Sequence, residues 1–389
     1  MIIVISLFKS LTILCLLTFV ISCASLEKLK FWGDEEEIEL PASLTEFEQS
    51  KSIVELWSFN LGKYELLGRI TPSLSSNSIF YITSEGKIFV IDTNTGKELW
   101  TKDTGDIVSG GIESKFKTLI YGTLDGEVVV LDQVSGNEIW RAQSTGEILS
   151  SPLTDGSIVA AQSSDGSLTG FDLRTGIRKW VHNSTVPSLS LRGTATPILE
   201  LGFIFTGFAN GKVVMIYPES GAIRLEFPVT LNEGTSELER IIDVDGKSIV
   251  SSNTLVSASY QGNITAIDLE QGRPIWKEKL STIKDLVESK SKVIAINDKD
   301  IIKGFGLSTG VILWQQNGLK LRGLTSPVNI EGNIAVGDFE GYIHILNASD
   351  GSFLGRSQIS KNPILEIVSE GDKLAVIDEK GRLFFLSLK

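Results

Sequence analysis

Residues 85–100 read Glu-Gly-Lys-Ile-Phe-Val-Ile-Asp-Thr-Asn-Thr-Gly-Lys-Glu-Leu-Trp, and the same frame returns at 125–140, 165–180 and 261–276. The unit is a polar residue and glycine, an apolar run, an Asp, usually a Ser or Thr, a second glycine, and Trp four residues later. Weaker copies keep the spacing: 210–225 has Leu225 for Trp, 299–314 has Asp300 for the first glycine, 340–355 has Gly355 in the Trp position, and an eighth begins at Lys380-Gly381. Positions 86, 126, 166, 211, 262, 300, 341 and 381 are thus 40, 40, 45, 51, 38, 41 and 40 residues apart. Repeats of ~40–45 residues are those of four-stranded propeller blades. Length alone suggests two or three domains, but eight repeats make one ring.

Each part of the unit has a backbone reason. The first glycine sits in a tight turn that requires positive φ. Runs such as Lys87-Ile88-Phe89-Val90-Ile91 are nearly continuous in apolar residues, as suits a strand covered on both faces by neighbouring blades. Asp92 to Gly96 is a hairpin in which the carboxylate bonds nearby N–H groups. The tryptophan falls on the outer strand, where its ring can cover the next blade and its N–H can reach a backbone acceptor. Pro72, Pro152, Pro197 and Pro327 each stand 14 residues before a repeat position, which fits the start of an inner edge strand that needs no ladder N–H.

The eighth copy stops after its third strand at Lys389, and Val54-Glu55-Leu56-Trp57 supplies the missing outer one. The expectation is therefore an all-β, eight-bladed β-propeller of four-stranded blades over residues 53–389, closed by an N-terminal strand. Residues 1–22 read as a signal peptide with an apolar stretch from Leu11 to Ile21; a retained membrane helix is the alternative. Val20-Ile21-Ser22-Cys23 resembles the lipobox of bacterial lipoproteins, which implies acylation of Cys23, and Ala24 rather than Asp after it implies the outer membrane. Acyl chains contribute ~0.8 kcal/mol per buried methylene to such anchoring. Residues 23–52, with the acidic cluster Asp34-Glu35-Glu36-Glu37, read as a flexible tether. A net charge of −12 repels nucleic acid phosphates.

No tryptophan is followed by Asp, so the repeats are not of the WD40 kind; they resemble the quinoprotein-type repeat of dehydrogenases that carry pyrroloquinoline quinone. A quinone-dependent dehydrogenase is thus one reading, and a generic ligand-binding periplasmic propeller another. Against the first, both cysteines, Cys15 and Cys23, precede the repeats, so the propeller offers no adjacent-cysteine disulfide on which a quinone could stack. His182 and His344 are more than four repeats apart and fit no metal-ligand spacing. Phosphate loops and nucleophile elbows are missing. No catalytic residue, metal or cofactor is expected.

Beyond the repeat, four stretches resemble the BamB family: 186–193 (Val-Pro-Ser-Leu-Ser-Leu-Arg-Gly), 242–245 (Ile-Asp-Val-Asp), 324–328 (Leu-Thr-Ser-Pro-Val) and 336–342 (Val-Gly-Asp-Phe-Glu-Gly-Tyr). The resemblance implies a propeller lipoprotein of the machinery that inserts β-barrels into the bacterial outer membrane. It further implies that the chain binds the periplasmic POTRA domains of BamA, faces the periplasm, acts as a monomer within a complex, and scaffolds or hands over unfolded outer-membrane proteins. Gly246-Lys247-Ser248 departs from the threonines and proline usual in that family.

The partner site can be approached from spacing as well. The two long steps, 166 to 211 and 211 to 262, carry about 5 and 11 extra residues between an outer strand and the next inner strand, and insertions into repeats gather on one face, often the binding face. Arg192 and Asp243 each stand 19 residues before their repeat glycine, which places them as neighbours on adjacent blades. Leu189 and Leu191 are read as apolar anchors, and Arg192, Asp243 and Asp245 as charged contacts. Leu319-Lys320-Leu321-Arg322-Gly323 repeats the Leu-x-Leu-Arg-Gly pattern at the same offset, so the pattern also admits a purely internal role.

Overall fold

The computed structural model describes residues 39–63, 67–231 and 234–389, with Pro41–Lys389 as one unit. The lipid-site residue Cys23, the signal segment and the early tether lie outside the described residues. Among those described, eight antiparallel sheets of four strands follow one another around a ring. We letter the strands of each blade a to d from the central channel outward. In blade 1 they are Ser73–Leu74, Ser78–Ile82, Lys87–Asp92 and Glu98–Asp103. Strand a follows directly after Pro72 in blade 1, Pro152 in blade 3, Pro197 in blade 4 and Pro327 in blade 7, and all four prolines line the channel. In blade 8, strands a to c are Ile364–Glu370, Lys373–Asp378 and Arg382–Leu388, and strand d is Ile53–Asn60, paired antiparallel from Ile53 with Leu388 to Asn60 with Arg382.

Strands b and c carry the core. Ile79 to Ile82 and Ile88 to Ile91 are all buried, because each blade is covered by a neighbour on either side, whereas strand d has one edge in water and alternates. Every strand d has a register shift one residue before the tryptophan position, as where Val90 faces Trp100 and Ile91 faces Glu98. Such a bulge adds twist and blunts the outer edge against pairing with other chains.

Where a blade carries the tryptophan, the ring locks that blade to the next. Trp57 in blade 8 donates to the Thr93 carbonyl of blade 1 at 2.8 Å, Trp140 to Leu173 at 2.7 Å, Trp180 to Pro218 at 2.6 Å, Trp276 to Leu307 at 2.8 Å and Trp314 to Ala348 at 3.0 Å. Each ring lies flat on the glycine of that hairpin. At Gly96, with φ +66°, an added Cβ would stand 2.6 Å from the Trp57 ring, so both backbone conformation and close approach demand glycine. The hairpin Asp works as expected: Asp92 Oδ1 accepts from the Thr95 N–H at 2.7 Å and its hydroxyl at 2.8 Å. Asp300, in the place of a first glycine, takes the left-handed conformation at φ +58°.

Gly355 in the tryptophan position now has a reason. The hairpin it would cover belongs to blade 8, where the ring is sewn: Ser52 and Lys389 exchange backbone bonds of 2.9 Å in place of a turn. Here the described part of the expected tether departs from a free linker. Ala42 donates to the Lys320 carbonyl, Ser50 and Lys51 both donate to the Leu354 carbonyl, each at 2.9 Å, and Phe47 stacks on Phe353 with centroids 5.3 Å apart. Arg356 donates to the Thr45 carbonyl at 2.9 Å. Residues 42–51 are thus a strap along the outer strand of blade 7, anchored by alternating inward residues such as Ala42 and Leu44; the acidic count upstream gave no hint of this.

Candidate functional site

Connections from strand d to the next strand a all open on one face of the ring, by the common topology of the blades. The two longest run from 184 to 197 between blades 3 and 4, and from 229 to 248 between blades 4 and 5. They bring the five expected partner residues together. Leu189 is 42% exposed, and the Arg192 side chain is 59% exposed, reaching Glu147 at 3.7 Å. Leu191 is half-buried, and its N–H donates to Asp243 Oδ2 across the two connections.

Asp243 differs from its expected role. Its residue exposure is 0%, so its carboxylate cannot offer a charged hydrogen bond to another molecule; it braces the 189–193 loop from beneath. Its other oxygen, Oδ1, is buried without a hydrogen-bond partner among the described residues. Burial pushes the Asp243 carboxyl up to about 6 against the pull of the Leu191 N–H. Asp245 is half-buried under Gly193, where an added Cβ would lie 3.1 Å from its Oδ2. Burial first, and the nearby Asp243 charge second, push Asp245 up to about 7, with Arg69 acting the other way.

The second copy of the pattern is built differently. Arg322 is 3% exposed, its Nε donates to Asp338 Oδ2 at 2.8 Å, another nitrogen meets Glu340, and Nη1 donates to the Ala42 carbonyl at 3.0 Å. Asp338 also receives a bond from His344 Nε2 at 3.0 Å, and Arg356 Nε donates to His344 Nδ1 at 3.1 Å. In blade 4 the positions equivalent to Asp338 and Glu340 are Phe208 and Asn210. Without carboxylates to draw it inward, Arg192 stays outside. The backbones differ as well, since Leu321 and Gly323 have positive φ (57° and 59°) whereas Leu191 and Gly193 are not among the positive-φ residues. Leu319 to Gly323 therefore serves the strap, and the same motif does two jobs.

The central channel holds a group that the motif pattern did not reveal. Its cavity, about 640 Å³, ends on Arg69, whose guanidinium bonds both carboxylate oxygens of Asp285 across the ring, the Nη1 to Oδ1 distance being 2.6 Å. Burial works to raise Asp285, and the Arg69 charge outweighs it, holding the group below the ordinary carboxylate range. Burial drives the neighbouring Glu366 up to about 7. One signal was present: three residues before the inner-strand proline, other blades have Leu149, Thr194 and Leu324, and blade 1 has a charge, Arg69. Among the described residues no three His, Cys, Asp or Glu side chains gather with metal-binding geometry.

Comparison with known proteins agrees with this architecture. A family model described as outer membrane protein assembly factor BamB matches residues 84–316. The outer membrane protein assembly factor BamB of Pseudomonas aeruginosa is 33% identical over 384 residues, covering 98% of this chain and 99% of that one. The crystal structure of BamB from Moraxella catarrhalis superposes with a TM-score of 0.78 at 26% identity, over 86% of this chain and 100% of that one. A quinohemoprotein alcohol dehydrogenase from Comamonas testosteroni matches with a TM-score of 0.66 over 87% of this chain and 76% of that one, but at 12% identity, which speaks for the fold alone. The shared repeats, the length of the match and the ring of eight blades place this chain in the BamB family of outer membrane protein assembly factors.

Proposed function

We propose that the chain is a non-catalytic scaffold of the outer-membrane β-barrel assembly machinery, anchored by lipid at Cys23 on the periplasmic face of the outer membrane. It docks on the POTRA domains of BamA through the 189–193 loop and assists the hand-over of unfolded barrel proteins. The observation that carries the site is the exposed pair Leu189 and Arg192 on an inserted loop whose backbone is held from below by a buried carboxylate. An apolar anchor with a charged neighbour on a braced loop is the kind of cluster that concentrates binding energy. The scaffold reading is supported against the dehydrogenase reading by family membership and by the location of both cysteines outside the propeller.

A pull-down with the BamA POTRA domains, comparing Arg192→Ala, Asp243→Ala and Arg322→Ala, tests the reading, with circular dichroism showing that each variant is folded. Arg192→Ala and Asp243→Ala lose binding, the first by removing a contact and the second by releasing the loop. Arg322→Ala loosens the strap and keeps binding. If only Arg322→Ala weakens the complex, or all three behave as wild type, the site is wrong.

A further inference from the structure

We propose that Asp243 and Asp245 are positioning residues that share a proton beneath the 189–193 loop, and that partner binding through the loop weakens as this proton is lost. The inference rests on the loop being the partner site. Asp243 spends one oxygen on the Leu191 N–H and leaves Oδ1 buried without a donor among the described residues. An ionised oxygen in such a place is costly, and a proton on it removes the charge. Asp245 follows two residues later under Gly193. The Asp243 charge acts on Asp245, and two carboxylates withdrawn from water that act on one another titrate as a pair.

The surrounding charges do not neutralise them. Arg69 acts on Asp245 from across the channel, but both its terminal nitrogens are engaged by Asp285. Asp285 also takes the backbone N–H of Lys247, and Lys247 acts electrostatically on Asp285. Glu366, itself pushed up to about 7 by burial, adds negative charge beside Arg69 only as the pH rises. Lys284, whose backbone packs on Gly246, donates to the Leu324 carbonyl and pairs with Asp300 at 3.4 Å. Arg192 turns to Glu147. Losing the shared proton therefore leaves two uncompensated charges under one short loop, and the loop lifts.

The sign follows from linkage. Burial holds Asp243 up to about 6, and burial with the Asp243 charge holds Asp245 up to about 7. The docked loop binds the proton more tightly than the lifted loop does, so docking is complete below these values and is lost as pH rises through them. For one proton released, affinity falls by up to about tenfold per pH unit.

The experiment follows the mature chain from about pH 5.5 to about pH 8.5, a range that brackets both groups. It measures affinity for the BamA POTRA domains and the hydrogen-exchange protection of the Leu191 amide. In wild type both fall together above about pH 6.5. Asp245→Asn loses the pH dependence of both readouts. Asp243→Asn, which still offers Leu191 an acceptor and brings its own N–H, does the same, while Asp243→Ala binds weakly at every pH. A merely structural brace would be rescued by neither amide in a pH-selective way. Constant Leu191 protection across the range, or an Asp245→Asn profile that follows wild type, overturns the proposal. If Leu191 protection falls with rising pH but the POTRA domains bind at no pH, the shared proton stands and the reading of the loop as partner site falls.

Discussion

Restoring the repeat at Gly355 by the substitution Gly355→Trp should damage the protein, although the consensus of the repeats favours tryptophan there. A Cβ at this position would lie 2.5 Å from the Lys51 carbonyl oxygen, which is backbone and cannot swing aside. The strap must then leave, and the bonds of Ser50 and Lys51 to Leu354 go with it, with the Ser52 to Lys389 closure strained. Overpacking costs about 1–3 kcal/mol and each lost backbone bond about 1 kcal/mol, so the total is roughly 3–5 kcal/mol. Leu225→Trp is the matched control. Leu225 rests on the hairpin glycine Gly272 of blade 5, its Cδ1 being 3.0 Å from an added Cβ there. That hairpin is complete, and the equivalent acceptor, the Leu269 carbonyl, lies one residue after Asp268. Leu225→Trp should change stability by less than about 1.5 kcal/mol. Urea unfolding of both variants, with hydrogen exchange across residues 42–51, makes the comparison. If Gly355→Trp unfolds within 1 kcal/mol of wild type and keeps the strap protected, the account of the seam is wrong.

Two further outcomes follow. Burial works first to lower His344, Asp338 pulls it up, and Arg356 and Arg322 push it down, with a net shift below the ordinary histidine value; the neutral ring is the form that accepts from Arg356. Its contribution is present above about pH 6.5 and is lost as pH falls through the lowered value, so strap protection should decline on acidification and remain unchanged if His344 plays no part. Cys23→Ser should release the chain from the membrane fraction, and unchanged retention would mean that another segment anchors it.

Blade number and ring closure were legible in the chain itself, because a repeat that cannot bury its faces alone leaves a period that survives even where Leu225, Asp300 or Gly355 breaks the motif. The prolines and the hairpin Asp residues were readable for the same reason: they answer local backbone demands. The 189–193 loop could be found from an insertion count, since extra residues between blades must emerge on one face. What only the tertiary structure decided depends on neighbours distant in sequence. Arg192 and Arg322 occupy identical motif positions, and their fates diverge because one meets Phe208 and the other Asp338 and Glu340. Asp243 looks like a surface charge until blade 4 and blade 5 close over it. Arg69 and Asp285 are 216 residues apart and meet only because the ring brings blades 1 and 6 to one channel. Local patterns record what the backbone needs, whereas the ionisation and exposure of a side chain are set by whatever the closed ring places against it.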